Sequence, residues 1–125
     1  RLRNLPRTVV DIRVRMTASF FGIIPILNKK IRSLSESDKQ KVALGRAVVC
    51  HPKVLLVDED FARQDEQRRA EMITDIMRIN KKLGITVLYV TNDYEEALEM
   101  EEKVVLMKDG SITEVLPKPP KDTAD

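Results

Sequence analysis

Glycine is scarce in this sequence, four residues in 125, and no two of the four (Gly22, Gly45, Gly84, Gly110) stand five apart. A G-x-x-x-x-G-K-[ST] loop, whose main-chain amides and lysine cradle a triphosphate, is therefore missing. Cysteine occurs once, at Cys50, which excludes an internal disulfide and predicts a reducing setting with the side chain buried as a small apolar group. Histidine also occurs once, as His51 immediately before Pro52, at an expected helix end where no catalytic role is assigned to it. Neither sign of charge dominates: 22 basic against 20 acidic side chains leave a net charge of +2. That balance gives no electrostatic case for nucleic acid or an anionic bilayer as partner. Long apolar runs are missing too. The longest uncharged stretch, 16–28, holds 13 residues with Pro25 inside it, against about 20 for a bilayer-spanning helix, and no signal peptide is recognised. The first residue is Arg1, which suits a fragment or a processed chain.

What is present is the composition of a globular protein, 42% hydrophobic and 34% charged, in a length that suits one modest core. Residues 8–21 carry apolar side chains at Val10, Ile12, Val14, Met16, Ala18 and Phe20, a period of two that fits a strand. Val9, Ile12, Met16 and Phe20 fit a helical stripe equally well. A helix is expected over 36–50, with Ser35 as N-cap, Asp38 three residues on as in a capping box, and Pro52 as the stop. Residues 54–57 are wholly apolar, as in a strand buried on both faces of a parallel sheet. Asp65 is placed to cap a helix over 66–83, whose stripe is Met72, Ile76, Ile79 and Leu83 and whose C-terminal stop is Gly84. Residues 85–90 form a second β-branched run, so 54–90 reads as a βαβ crossover with parallel pairing. A short helix follows over 94–100. The runs 103–107 and 111–115 flank Asp109-Gly110, a strong hairpin signal. From Pro117 the prolines and the lack of an apolar pattern predict a loose tail. Met72, Met77, Met100 and Met107 fall in core patterns and call for no cofactor.

The chemically informative segment is Val54-Leu55-Leu56-Val57-Asp58-Glu59. An acidic pair at the carboxyl end of a buried parallel strand lies where open α/β sheets place their ligands. In phosphoryl transfer one acid helps hold Mg²⁺ and another group orients the attacking water. On its own the pair is equally an acidic turn that ends the strand.

Its ordered neighbours sharpen the reading. Leu34-Ser35-Glu36-Ser37-Asp38-Lys39-Gln40, running on to Leu44-Gly45-Arg46-Ala47, resembles the LSGGQ signature region of ABC transporter ATPase subunits. Asp58-Glu59 then falls at that family's Walker B spacing. Phe61-Ala62-Arg63-Gln64-Asp65 stands in the place of its D-loop, Val90-Thr91-Asn92-Asp93 in the place of V-T-H-D, and 103–112 is similar to its R-I-V-V-M-x-x-G-x-I hairpin. Residues 13–34 resemble the approach to the signature, for which the family implies a helix. The resemblance covers about residues 2–116, split into a helical and signature part (1–50) and a Walker B to H-loop part (51–116), with a tail over 117–125. It implies an α/β fold, a partial P-loop NTPase-like parallel sheet with flanking helices and a C-terminal β-hairpin. Gly45-Arg46-Ala47 and the turn Leu83-Gly84-Ile85-Thr86 look most like sugar-import subunits.

By resemblance the cofactors are ATP and Mg²⁺, with Glu59 as general base or water-orienting residue, Asn92 beside the γ-phosphate and Asp58 on the metal. Ser35, Glu36, Ser37, Gln40 and Asp65 would meet the nucleotide across a dimer. The partners implied are a second ATPase subunit and membrane permease subunits, with no nucleic acid. The implied location is cytoplasmic, peripheral to the inner membrane. The departures matter as much. The family's P-loop, adenine-stacking aromatic and Q-loop precede the matched region, so the chain alone is expected neither to hydrolyse ATP nor to bind it tightly. Glu36 and Ser37 replace two glycines, Asn92 a histidine and Asp60 a proline. Ser35 and Asp65 are also simply good helix caps. A non-enzymatic remnant or interaction module, and a non-transport ABC ATPase, stand as rival readings. A DNA-repair type would need heptad-patterned sequence before the signature, which 1–33 does not carry.

Overall fold

The computed structural model describes residues 4–58, 65–100 and 102–120. The chain divides into two compact units, Arg1–Tyr89 and Val90–Asp125.

In the first unit the ambiguous opening segment is a helix, α1 (Arg7–Phe20). Its inner side leads to buried Ala18, with Phe21 and Ile23 just beyond, while Ile12 and Met16 face outward. The segment is helical, but Val9, Ile12, Met16 and Phe20 are not its core stripe: the more buried side runs through Val10, Val14 and Ala18, four residues apart. Two single 3-10 turns (Ile24–Ile26 and Ile31–Ser33) lead into α2 (Glu36–Val48). Ser35 caps α2 as expected, its hydroxyl oxygen accepting from the Asp38 amide at 3.1 Å. Cys50, beyond the end of α2, is exposed. The expectation that it is buried is thus corrected: it falls after the last core-facing residue of the helix, Val48.

Strand β1 (Val54–Asp58) leads through a crossover to α3 (Glu66–Leu83) and β2 (Thr86–Val90), and the two strands form a parallel sheet. The Thr86 amide donates to the Lys53 carbonyl at 3.1 Å, just ahead of the paired strands. Helix α3 supplies the centre of the core: Met72, Ile76 and Ile79 are its largest fully buried side chains. Leu83, expected on the same stripe, is exposed at the helix end. Gly84 stops α3 in the left-handed conformation (φ 66°) that a Cβ disfavours. Arg78 ties α3 to the end of α1, donating to the Phe20 carbonyl at 3.0 Å while its guanidinium lies 4.4 Å from the Phe20 ring centroid.

Burial along β1 departs from expectation. Leu55 and Val57 are each 6% exposed, whereas Val54 and Leu56 are 51% and 70% exposed. The strand is covered on one face, not two, because among the described residues the sheet has two strands and helical packing on one side.

The second unit holds α4 (Tyr94–Glu99) and a hairpin of β3 (Val104–Lys108) and β4 (Ser111–Leu116). Asp93 caps α4, its carboxylate accepting from the Glu96 amide at 3.1 Å. Asp109 and Gly110 both have positive φ (50° and 77°), the backbone of a type I′ turn. Lys108 therefore pairs with Ser111, and a register shift falls between Leu106 and Met107. Met107, assigned to a core by its pattern, is exposed on this hairpin, since two strands alone bury little. Residues 117–120 have no regular structure, although Lys118 pairs with Glu102.

Candidate functional site

Two helix N-termini meet in the first unit. Ser35 caps α2 and Asp65 caps α3, its carboxylate accepting from the Arg68 amide at 3.0 Å. The same carboxylate accepts from Arg68 Nε at 2.6 Å. These contacts with Arg68, the amide foremost, hold the Asp65 carboxyl below the usual carboxylate range. Two residues cross between the helices. Gln40, buried at 6% exposure, donates from Nε2 to the Arg68 carbonyl at 3.4 Å. The Ser37 hydroxyl donates to Glu71 Oε2 at 2.9 Å. Ser35, Glu36, Ser37, Gln40 and Asp65, dispersed over 31 positions of sequence (35 to 65), are thereby gathered around the first turns of α2 and α3.

Glu36 sits at the first position of α2 with its carboxylate on Lys39 Nζ at 2.7 Å. The hydrogen bond and charge of Lys39, with a smaller contribution from Arg68, depress its pKa. It is therefore ionised near neutral pH at the place where an anion would meet the helix N-terminus. Lys39 and Arg68, neither of them a site residue on sequence grounds, are the cations that make this tolerable. The spacing of three between Glu36 and Lys39, and between Asp65 and Arg68, is the signal that could have found them.

Asp58 lies exposed at the carboxyl end of β1, where its oxygen chemistry suits one side of a hard cation. Glu59, with Asp60 and the segment 61–64, lies outside the described residues. Asn92 is exposed in the second unit, in a turn where the Asp93 amide donates to Thr91 Oγ1 at 3.0 Å. Among the described residues no group of three or more His, Cys, Asp or Glu side chains converges to hold a metal ion.

Beside Asp58 runs a groove of about 240 Å³ lined by Ala43, Leu44 and Ala47 of α2 and by Leu55, Leu56 and Val57 of β1. It is smaller than the roughly 300–1,000 Å³ of small-molecule sites, and its walls are apolar. The donor set thus fits parts of a nucleotide site, one strand-end carboxylate and two capped helix ends, but holds no phosphate cradle.

Comparison with known proteins fits this partial character. The solved structure of cbiO1 from Clostridium perfringens, described as part of the ABC transporter complex cbiONQ, superposes with a TM-score of 0.81. The match has 29% identity and covers 90% of this chain and 45% of that one. The α/β fold is thus that of the ABC ATPases, a P-loop NTPase class. Residues 7–62 match the ABC transporter family. The trehalose/maltose import ATP-binding protein MalK of Thermococcus litoralis is 39% identical over 115 residues, 92% of this chain and 31% of the relative. The spermidine/putrescine import ATP-binding protein PotA of Borrelia garinii is 38% identical over the same share of this chain and 33% of its own length. The chain thus resembles part of an ABC transporter ATP-binding domain, and it spans about a third of the length of these curated relatives. No helix among the described residues is long and apolar enough to cross a membrane.

Proposed function

We propose that the chain is the signature and Walker B portion of the ATP-hydrolysing subunit of an ABC importer, which needs a P-loop portion to act. The observation that carries the reading is the gathering of Ser35, Glu36, Ser37 and Gln40 with the Asp65 cap, in a chain whose strand β1 ends on Asp58. Bound Mg²⁺ would neutralise phosphate charge. The chain's own part is to hold the metal side with Asp58, orient water through Glu59, and present the α2 N-terminus to a nucleotide on a second subunit. Asn92 would donate its amide to the γ-phosphate. Permease subunits and a peripheral position at the inner face of the membrane belong to the same proposal, supported by the importer names of the relatives and the complex that cbiO1 belongs to. The sugar-type branch is favoured by the Gly45-Arg46-Ala47 run and the trehalose/maltose relative. The polyamine relative at nearly equal identity argues that the solute is chosen elsewhere.

The test joins a P-loop portion to this chain and measures phosphate release. Glu59→Gln should abolish turnover while nucleotide binding persists, because the carboxylate is needed for the water and the amide keeps the shape. Equal turnover in both proteins would remove Glu59 from the mechanism. A non-enzymatic role is the second reading, favoured by the missing phosphate loop and by the Glu36–Lys39 ion pair at the signature. Absence of turnover in the unmutated joined protein would select it.

A further inference from the structure

The net charge of +2 conceals an uneven distribution. Residues 1–33 hold eight basic side chains and one acidic, whereas the remaining 92 hold 14 basic and 19 acidic. No acidic residue occurs between Asp11 and Glu36. Within that stretch lies a surface loop pinned by two buried side chains, Ile23 and Leu34, at 7% and 9% exposure. None of its ten residues, 24–33, is buried, although four are Ile or Leu. Ile24, Leu27 and Ile31 are 46%, 40% and 67% exposed. The Leu27 amide donates to the Ile24 carbonyl at 3.2 Å, and side chains three apart in such a 3-10 turn stand one above the other. Lys29, Lys30 and Arg32 are exposed beside them, and none forms an ion pair with another described residue. The Ser33 hydroxyl donates to the Lys30 carbonyl at 2.7 Å, which holds the turn that presents them.

We propose that the loop 24–33 is a membrane-surface contact, which meets the anionic headgroups of a lipid bilayer directly, with no permease between. Such a contact needs two kinds of side chain, and both are here. The aliphatic ones enter the headgroup boundary, while the cations lay their stems along them and bring their charged ends to phosphate. Charge selects an anionic occupant, and a second copy of this chain would set three cations against three. The aliphatic character selects a bilayer over nucleic acid, whose bases are met by aromatic or hydrogen-bonding side chains. Of the neighbouring aromatics, Phe21 is buried and Phe20 lies against the Arg78 guanidinium. Neither nucleotide nor a P-loop portion has a part in this contact, so it holds or fails apart from the ATPase reading.

The test is co-sedimentation of the 125-residue chain with vesicles at low salt. One set is phosphatidylcholine alone, the other equal parts of phosphatidylcholine and phosphatidylglycerol. Partition onto the mixed vesicles should exceed that onto the neutral ones by about tenfold or more. Lys29→Gln, Lys30→Gln and Arg32→Gln combined should weaken binding to the mixed vesicles by about tenfold or more. Ile31→Ser should weaken it by about threefold or more. Both variants should keep the thermal midpoint of the unmutated chain, since every altered side chain is exposed. Leu56→Asp, on the exposed side of β1, should leave partition unchanged. Equal partition onto the two vesicle types, or none onto either, would overturn the proposal. So would full binding by the glutamine variant, or binding lost with Leu56→Asp, which would place the contact on the sheet. Capture by polyglutamate or duplex DNA that matches the mixed vesicles and ignores Ile31→Ser would assign the loop to a different polyanion and equally overturn it.

Discussion

Glu36 and Ser37 stand where glycines would let main-chain amides approach a phosphate, and each has found a protein partner instead, Lys39 and Glu71. In a joined, active protein, replacing both by glycine should raise phosphate release and ATP-driven dimerisation, because a fixed carboxylate beside the phosphate is removed. The same change should lower thermal stability, since Ser37→Ala alone deletes a half-buried bond to a charged acceptor, a contact of about 1.5–3 kcal/mol. No change in dimerisation would mean that this helix end never meets a nucleotide. Asp75 poses the opposite electrostatic problem. Burial pushes its carboxyl above the ordinary value, against the pull of Lys41 and Arg78 and with some help from Glu71. A raised folded-state pKa means that the native state binds the proton more tightly. Its favourable contribution is therefore full below the unfolded value of 3.8 and is lost as pH rises through the higher folded one. Asp75→Asn should remove that loss, so its urea midpoint should gain on the wild type between about pH 4 and pH 7.

Among the elements, α3 is the one most fully written in the sequence. Its cap, its stripe and its glycine stop were all legible, and Met72, Ile76 and Ile79 are buried as the spacing requires. Met72→Ala should cost about 2–5 kcal/mol in chemical unfolding, whereas Leu83→Ala, at the exposed end, should cost far less. Ser35→Ala should cost about 1 kcal/mol through the lost cap, a measurement that separates its structural duty from any duty toward nucleotide. Gly84→Ala meets no neighbour, but it forces a Cβ into the left-handed region, for about 1–2 kcal/mol. The first helix was not legible from pattern alone, because Val9, Ile12, Met16 and Phe20 satisfy one period and Val10, Ile12, Val14 and Met16 the other. The family resemblance, not the periodicity, gave the helix. The strand 54–57 is legible in the sequence, but the one-sided burial of β1 is not. An all-apolar run records the burial that a strand is suited to, and the number of faces covered depends on what else packs there. The Gln40 and Ser37 bridges to α3 have no sequence signal at all, since they join residues 28 and 34 positions apart.

At the scale of the whole molecule, the scarcity of glycine sets what this chain does alone. With no phosphate loop, titration with a nucleotide analogue should find no affinity better than about 1 mM, equivalent to some 4 kcal/mol of binding. Micromolar, Mg²⁺-dependent binding would contradict that. The exposed thiol at the end of α2 has a practical bearing on all of these measurements. Cys50 is the sole cysteine of the sequence, and it is open to solvent. A maleimide dye would therefore attach at one defined position of the unaltered protein. That position lies three residues beyond Ala47, which lines the groove beside β1. The native sequence thus carries its own reporter handle, from which a change in emission or anisotropy would follow the arrival of any partner at that wall, with no residue exchanged to install it.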